Sequence, residues 1–382
     1  MKIAYIYSTI ATKGGTERMI VEKANYFSSH YGYDVTIITC LQKKSEPNTF
    51  FLLPKVKQIN LEIPYNSQYK YKYPKRLWIK WKINKMLKKG INQTVKQEAP
   101  DIIIGTVQFQ AHIISSIKTM AIKIIECHQP KYSIMSSIIE TQRCLLHKGY
   151  SKLFRQYYLK TIERNADVIV TLTDKDKNLW KKNKRIEVIP NFSTMSVTHF
   201  SDCSSKRVIA VGRLDWIKGF VRLIDIWKIV TSKHPDWRLD IYGDGTMRNT
   251  LEAHIEKNHV KNLSIHNHTP KISQEYAMSS ICTVTSFYEG FSLVILEAMK
   301  HGLPCVAFDC PYGPRSIIED GKCGYLVEDG NNNDFEEKLS RLIDNRQLRM
   351  QFSTAAIERA KVFDTDVIMK QWQELFTSLI SK

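Results

Sequence analysis

The chain has 382 residues, 43% of them hydrophobic and 25% charged, a globular balance that excludes a disordered or low-complexity polymer. That length suits two α/β domains better than one core. The formal net charge of +18 is lopsided: residues 1–200 hold 33 Lys and Arg against 14 Asp and Glu, a net of +19, while the remainder nets −1. One half therefore faces something anionic and the other does not.

The opening Met1-Lys2-Ile3-Ala4-Tyr5-Ile6-Tyr7 reads as a buried first strand, not a signal peptide. Its apolar run is short, and Lys13, Glu17 and Arg18 follow closely. No window reaches the ~20 apolar residues needed to span a bilayer. The eight cysteines form no C-x-x-C pair, and Cys282 and Cys305 sit inside apolar runs, as reduced thiols of a cytosolic chain do. Strands are expected at Lys2–Tyr7, Asp34–Thr39, Ile102–Ile104, Ile122–Glu126, Val168–Thr171 and Ile186–Ile189. A second series is expected at Arg207–Val211, Arg238–Tyr242, Leu263–Ile265, Cys282–Thr285 and Pro304–Ala307. Continuous apolar strands alternating with helices predict two parallel, doubly wound sheets. Pro190-Asn191 and the polar Ser201–Ser205 predict the boundary near 190–205.

Several motifs carry chemistry. Lys13-Gly14-Gly15-Thr16-Glu17-Arg18 lies between the first strand and a helix, where glycines permit close approach and a helix start attracts phosphate. A plain turn has the same composition. Residues 65–97 hold ten Lys and Arg, no Asp or Glu, and six Tyr and Trp. At helical spacing Ile79, Ile83, Met86 and Leu87 share a face, with Lys82, Lys85 and Lys89 opposite and Trp78 on the basic side. That mixture suits an anionic membrane surface. Single-stranded nucleic acid is the rival polyanion, disfavoured because no nucleic-acid motif appears. Glu126-Cys127-His128-Gln129 ends a strand, where a lone histidine is more often a satisfied polar residue than a functional one. Asp174-Lys175-Asp176 has the Asp-x-Asp form of a metal pair, but beside Lys175 and Lys177 it reads as a helix cap with solvated charge, and no metal is expected.

In the second half, Val211-Gly212-Arg213-Leu214-Asp215-Trp216-Ile217-Lys218-Gly219 follows a strand and opens a helix. Arg213 and Lys218 can together neutralise a diphosphate. Tyr242-Gly243-Asp244-Gly245 ends another strand, with close backbone approach at Gly243. The sharpest signal runs from Glu289 to Met299. A helix from about Ser292 would present N–H groups at Gly290, Phe291, Ser292 and Leu293 to an anion. Glu289 would sit at the loop mouth and Glu297 a turn or more into the helix. Carboxylates grip vicinal hydroxyls, so these two suit a hexose and a ribose. Two surface glutamates near a helix start would give the same spacing.

Glu289 and Glu297 with seven residues between, Ala298-Met299, Gly302-Leu303-Pro304, Gly212-Arg213-Leu214 and Lys218-Gly219 together resemble the retaining GT-B glycosyltransferases of family 4. The resemblance covers nearly the whole chain and is most specific in the C-terminal half. It implies two facing Rossmann-like domains with a cleft between them. Residues 1–195 would be the acceptor side, 196–362 the nucleotide-sugar side, and 363–382 a helix returning to the N-terminal domain. It implies a metal-independent, cofactor-free hexosyl or N-acetylhexosaminyl transfer, UDP-sugars being the usual donors, to a lipid-linked or polysaccharide acceptor. The expected place is the cytoplasmic face of the cell membrane. Arg213, Lys218, Gly14, Gly15 and the start at Gly290–Leu293 would hold the diphosphate, Glu289 the sugar, Glu297 the ribose, and His128 the reacting centre. Asp309-Cys310-Pro311-Tyr312-Gly313-Pro314-Arg315 is similar to a variant of polysaccharide-building members, with Arg315 where many carry Glu. His266-Asn267-His268-Thr269 replaces the usual Phe-Leu-Gly beside the base. A sugar epimerase or a phosphorylase shares the architecture and is the alternative enzyme.

Overall fold

The computed structural model describes all residues except 73, 108, 132–155, 181, 182, 184 and 382. The chain divides into two compact units, residues 1–189 with 369–382, and residues 190–368. The exchanges fall at Ile189/Pro190 and Ile368/Met369, the second inside the helix Thr365–Ile380.

The first unit holds β1 (Lys2–Tyr7), β2 (Asp34–Thr39), β3 (Lys57–Asn60), β4 (Ile102–Thr106), β5 (Ile122–Cys127), β6 (Val168–Thr171) and β7 (Ile186–Val188). They form one parallel sheet in the order β3-β2-β1-β4-β5-β6-β7. The second holds β8 (Arg207–Val211), β9 (Arg238–Tyr242), β10 (Leu263–His266), β11 (Ile281–Val284), β12 (Cys305–Phe308) and β13 (Gly324–Val327), ordered β10-β9-β8-β11-β12-β13 and also parallel. β3 and β13 are additions to the strands expected from sequence. β3 reads Lys-Gln-Ile-Asn at a sheet edge and lacks an apolar run; β13 starts on a glycine.

Parallel strands are covered on both faces, which is why β4, β6, β11 and β12 are buried at every residue. The covering helices present apolar stripes at i, i+3, i+4 spacing. Phe220–Lys233 buries Phe220, Leu223, Ile224, Trp227 and Val230 against Val208, Ala210, Leu239 and Ile241. Gly15–His30 buries Met19, Ile20, Lys23, Ala24 and Phe27, and the Phe27 ring meets Phe376 of the C-terminal helix at 5.1 Å. In each sheet the strand order reverses once, between β1 and β4 and between β8 and β11. Ligands of open α/β sheets gather outside the carboxyl ends of strands at such reversals.

Candidate functional site

In the second unit the loops that leave β8 and β11 are fastened to each other. Gly219 ends the one-turn helix Trp216–Lys218 in the left-handed region, at φ +64°, and a Cβ there would stand 2.0 Å from the Thr285 carbonyl oxygen. Only glycine permits that approach. Thr285 Oγ1 donates to the carbonyls of Lys218 and Gly219, at 3.1 and 3.2 Å, and the Phe287 N–H donates to the Ile217 carbonyl at 2.8 Å. Arg222 closes the junction, its Nε donating to Thr285 O and its Nη2 to Ser286 O, both at 2.7 Å.

That fastening brings Lys218 Nζ to 2.7 Å from Glu289 Oε1, which also accepts from Ser286 Oγ at 2.7 Å. Both charged side chains keep partial access to solvent, at 24% for Lys218 and 12% for Glu289. Asp215 accepts from the Lys218 N–H through Oδ1 and from Arg213 Nε, at 2.6 Å, through Oδ2. Arg213 is tethered at its base, with 70% of its side chain exposed. The loop after β12 lies alongside Glu289 through a backbone bridge from Tyr312, which adopts φ +82°. In that loop Arg315 Nε and Nη2 grip Asp309 Oδ2 at 2.8 and 2.6 Å.

After Glu289 come Gly290, Phe291 and Ser292, then the helix Leu293–Lys300. Its first turn has no acidic residue and its start receives no side-chain cap. The leading N–H groups of a helix have no partner within it and carry the positive end of the dipole. Phe291 is buried and meets Phe363 at 5.5 Å; Ser292 is buried as well. Glu297 follows one turn on and is 6% exposed, so it is a buried carboxylate, not a surface one. Gly243 ends β9 against the β8 loop, where a Cβ would stand 1.9 Å from the Gly212 carbonyl oxygen. Next to it His266 turns inward: Nε2 lies 2.9 Å from Asp240 Oδ1 and the ring stacks on Tyr242 at 4.6 Å.

In the first unit Gly14 precedes, and Gly15 opens, the helix Gly15–His30 after β1. Glu17 folds back over Gly14 and accepts from Thr12 Oγ1 at 2.9 Å, and Arg18 Nε donates to Glu22 Oε1 at 2.7 Å. His128, just past β5, has a side chain only 3% exposed. Its Nε2 lies 2.8 Å from Glu126 Oε2, off the N–H axis, and Nδ1 has no protein hydrogen-bond partner. The same Oε2 accepts from Lys23 Nζ. Burial by itself would raise the Glu126 carboxyl, but Lys23 and then His128 hold it well below the usual carboxylate range. Burial lowers the Lys23 ammonium against the pull of Glu126.

Lys23 and Glu126 were not singled out as functional in the sequence. One signal was available: Lys23 interrupts the apolar stripe Met19-Ile20-Ala24-Phe27, and a lysine in such a stripe needs a buried partner. The structure also corrects the reading of Asp174-Lys175-Asp176. Asp174 is exposed, but Asp176 is buried, and the cap is Thr173, whose hydroxyl accepts from the Asp176 N–H. Burial lifts the Asp176 carboxyl to about 6, although it accepts from the Lys131 N–H at 2.8 Å. The order of the chain decides this, since Asp176, inside the turn, accepts from the Lys131 N–H and Trp180 Nε1 while Asp174, the first residue, faces water.

Residues 195–359 match the family described as glycosyl transferases group 1. The chain is 29% identical to the amylovoran biosynthesis glycosyltransferase AmsD of Erwinia amylovora, covering 98% of this chain and 99% of that one. It is 34% identical to the poly(ribitol-phosphate) alpha-N-acetylglucosaminyltransferase of Staphylococcus aureus, over 47% of this chain and 36% of that one. Among solved structures it is similar to Anabaena HepE in complex with UDP and glucose, with TM-score 0.75 and 18% identity over 99% and 100% of the two chains. It is also similar to TarM, with TM-score 0.78 and 17% identity over 98% of each. Two parallel-sheet α/β units of this kind are the GT-B fold, and the match over residues 195–359 together with these full-length and partial relatives identifies the chain as a glycosyltransferase.

Proposed function

We propose that the chain is a retaining, metal-independent transferase of hexose or N-acetylhexosamine from a UDP-sugar to a lipid-linked or polysaccharide acceptor in cell-surface glycan synthesis. The observation that carries this reading is the Lys218–Glu289–Ser286 constellation, set by two fastened loops beside the uncapped start of Leu293–Lys300. Lys218, Arg213 and that helix start at Gly290–Leu293 supply positive charge where a departing diphosphate would need it. With diphosphate bound, the Lys218 ammonium turns to the phosphate and frees Glu289 Oε1 to accept from a sugar hydroxyl. Glu297 binds the ribose, His128 addresses the sugar or acceptor, and Gly14 and Gly15 approach the phosphates. Neither a metal nor a cofactor has a part. Asp174 and Asp176 make no paired site, one being exposed and the other buried. The polymers named for AmsD and for the poly(ribitol-phosphate) enzyme, amylovoran and poly(ribitol-phosphate), favour a polymeric cell-surface acceptor.

The reading includes peripheral attachment to the inner face of the cell membrane. Among the described residues no helix is long and apolar enough to cross a membrane. The helix Lys75–Glu98 instead buries Ile83, Leu87, Ile91 and Val95 while Trp78 and Trp81 stand 57% and 59% exposed. Lys82 lies 5.6 Å from the Trp78 ring and Lys85 5.1 Å from the Trp81 ring. Exposed indoles beside ammonium groups suit the headgroup layer of an anionic bilayer. UDP release from UDP-glucose, UDP-galactose and UDP-N-acetylglucosamine, measured with EDTA present, tests the transferase reading. Complete loss in EDTA with rescue by Mn²⁺ overturns the metal-independent mechanism.

A further inference from the structure

The buried pair Lys23–Glu126 has no place in the donor chemistry just described, yet it takes two full charges out of water. Both side chains are 3% exposed. Lys23 lies on the helix opened by Gly15, and Glu126 is the penultimate residue of β5. The Trp372 ring of the C-terminal helix covers the Lys23 ammonium at 4.7 Å and the Tyr5 ring of β1 lies 5.9 Å from it. Two charges taken out of water lose several kcal/mol of hydration each, and apolar residues of equal volume usually serve stability as well or better. Stability alone therefore gives no reason for the pair.

Its geometry gives one. Glu126 Oε2 is shared: Lys23 donates to it from one side, and His128 Nε2 approaches to 2.8 Å from another. Lys23 thus decides where the oxygen stands, and the oxygen decides how the imidazole stands. The contact lies off the N–H axis and is electrostatic rather than a formed hydrogen bond, but a carboxylate has no proton to give, so its charge favours the ring proton on Nε2 and leaves Nδ1 as an acceptor. Nδ1 is the one polar atom of this nine-tenths-buried side chain that faces neither a charge nor a hydrogen-bond partner.

We propose that Lys23 and Glu126 are positioning residues that fix the tautomer and orientation of His128, leaving Nδ1 to accept from a hydroxyl of the sugar or acceptor. The proposal rests on the reading of His128 as an active-site residue. It ties the helix that starts at Gly14–Gly15 to the end of β5 through a buried charge pair, so both candidate elements of the first unit are set by one contact.

The test is the double substitution Lys23→Met with Glu126→Leu, which removes both charges together and is expected to fold with an unchanged or higher melting temperature. With UDP-glucose and UDP-N-acetylglucosamine, kcat should fall about 10–100-fold, the scale of loss known when groups that orient metal-bound histidines are removed, with KM for the donor within about two-fold. In a His128→Ala background the same double substitution should cost nothing further, because it acts only through the ring. Histidine ¹⁵N shifts, with His128 assigned by His128→Gln, give a readout that needs no turnover. Wild type should show the Nε2–H tautomer, and the double variant a mixture. A folded double variant with wild-type kcat or wild-type His128 shifts overturns the proposal. Should His128→Ala alone leave transfer intact, the reading of His128 fails instead, and that outcome is distinct.

Discussion

The two units each contain a lysine–glutamate pair, Lys218–Glu289 in one and Lys23–Glu126 in the other, and the pairs differ in what surrounds them. Lys218–Glu289 sits at a loop mouth with partial access to water, so its partners can exchange for a ligand at modest cost. Lys23–Glu126 is sealed under Trp372 and has no such freedom. The same two functional groups serve as a replaceable contact in one place and as a fixed strut in the other. Solvent access, rather than residue identity, decides which.

The comparison breaks most readily on the sealed pair. Lys23→Met alone strands the Glu126 carboxylate in an apolar site and is expected to cost about 3–5 kcal/mol in chemical denaturation. A loss below 1 kcal/mol, on the order of an exposed pair, would show that water reaches the site. Lys218→Ala is the mirror case. Stability should change little, while transfer should lose on the order of 2–4 kcal/mol of transition-state stabilisation, read as kcat/KM with the accepted donor. Near wild-type turnover would remove Lys218 from the diphosphate.

Acid sharpens the distinction further. The folded-state carboxyl of Glu126 is held below its unfolded value, so its contribution is full above the ordinary carboxylate range and is lost as pH falls through that range towards the folded value. Denaturation midpoints between pH 7 and pH 3 should fall more steeply for wild type than for the variant with Lys23→Met and Glu126→Leu; equal slopes would remove Glu126 from the acid limb. The smallest effect per residue belongs to the exposed cations of Lys75–Glu98, each contributing about 1 kcal/mol near an anionic leaflet. Replacing the exposed Lys82, Lys85, Lys88 and Lys89 with Glu should abolish co-sedimentation with anionic vesicles and spare UDP release in solution. Wild-type binding by that variant, or no binding by wild type, would detach this helix from the membrane.

Sequence pattern reached the two parallel sheets because buried parallel strands leave continuous apolar runs, as in Ile102–Thr106 and Val168–Thr171. It missed Lys57–Asn60 because an edge strand needs only backbone pairing and here carries Lys, Gln and Asn. In the second unit local pattern placed Arg213, Lys218 and Glu289 at strand ends and helix starts and Glu297 about a turn into a helix, and the structure has them there. The fastening of the loops was not legible, because Thr285 meets Gly219 across 66 residues. Nor was the Lys23–Glu126 contact, whose partners are 103 residues apart. Asp176 was misread because charge in a short turn looks solvated until the packing of Trp180 and Lys131 over it is known.

The division of the chain has a consequence for how the protein is made. Trp372 and Phe376, which cover Lys23 and Phe27, lie in residues 369–382 and belong to the first unit, yet all of residues 190–368 are translated before them. At about 5–20 residues per second, a ribosome spends roughly 10–40 s on that intervening stretch. Throughout that interval the nascent first unit carries an uncovered Phe27 and a charge pair open to water. Completion of the first unit thus waits on the synthesis of residues 369–382, and chaperones that hold apolar surface have a defined window in which to act on it.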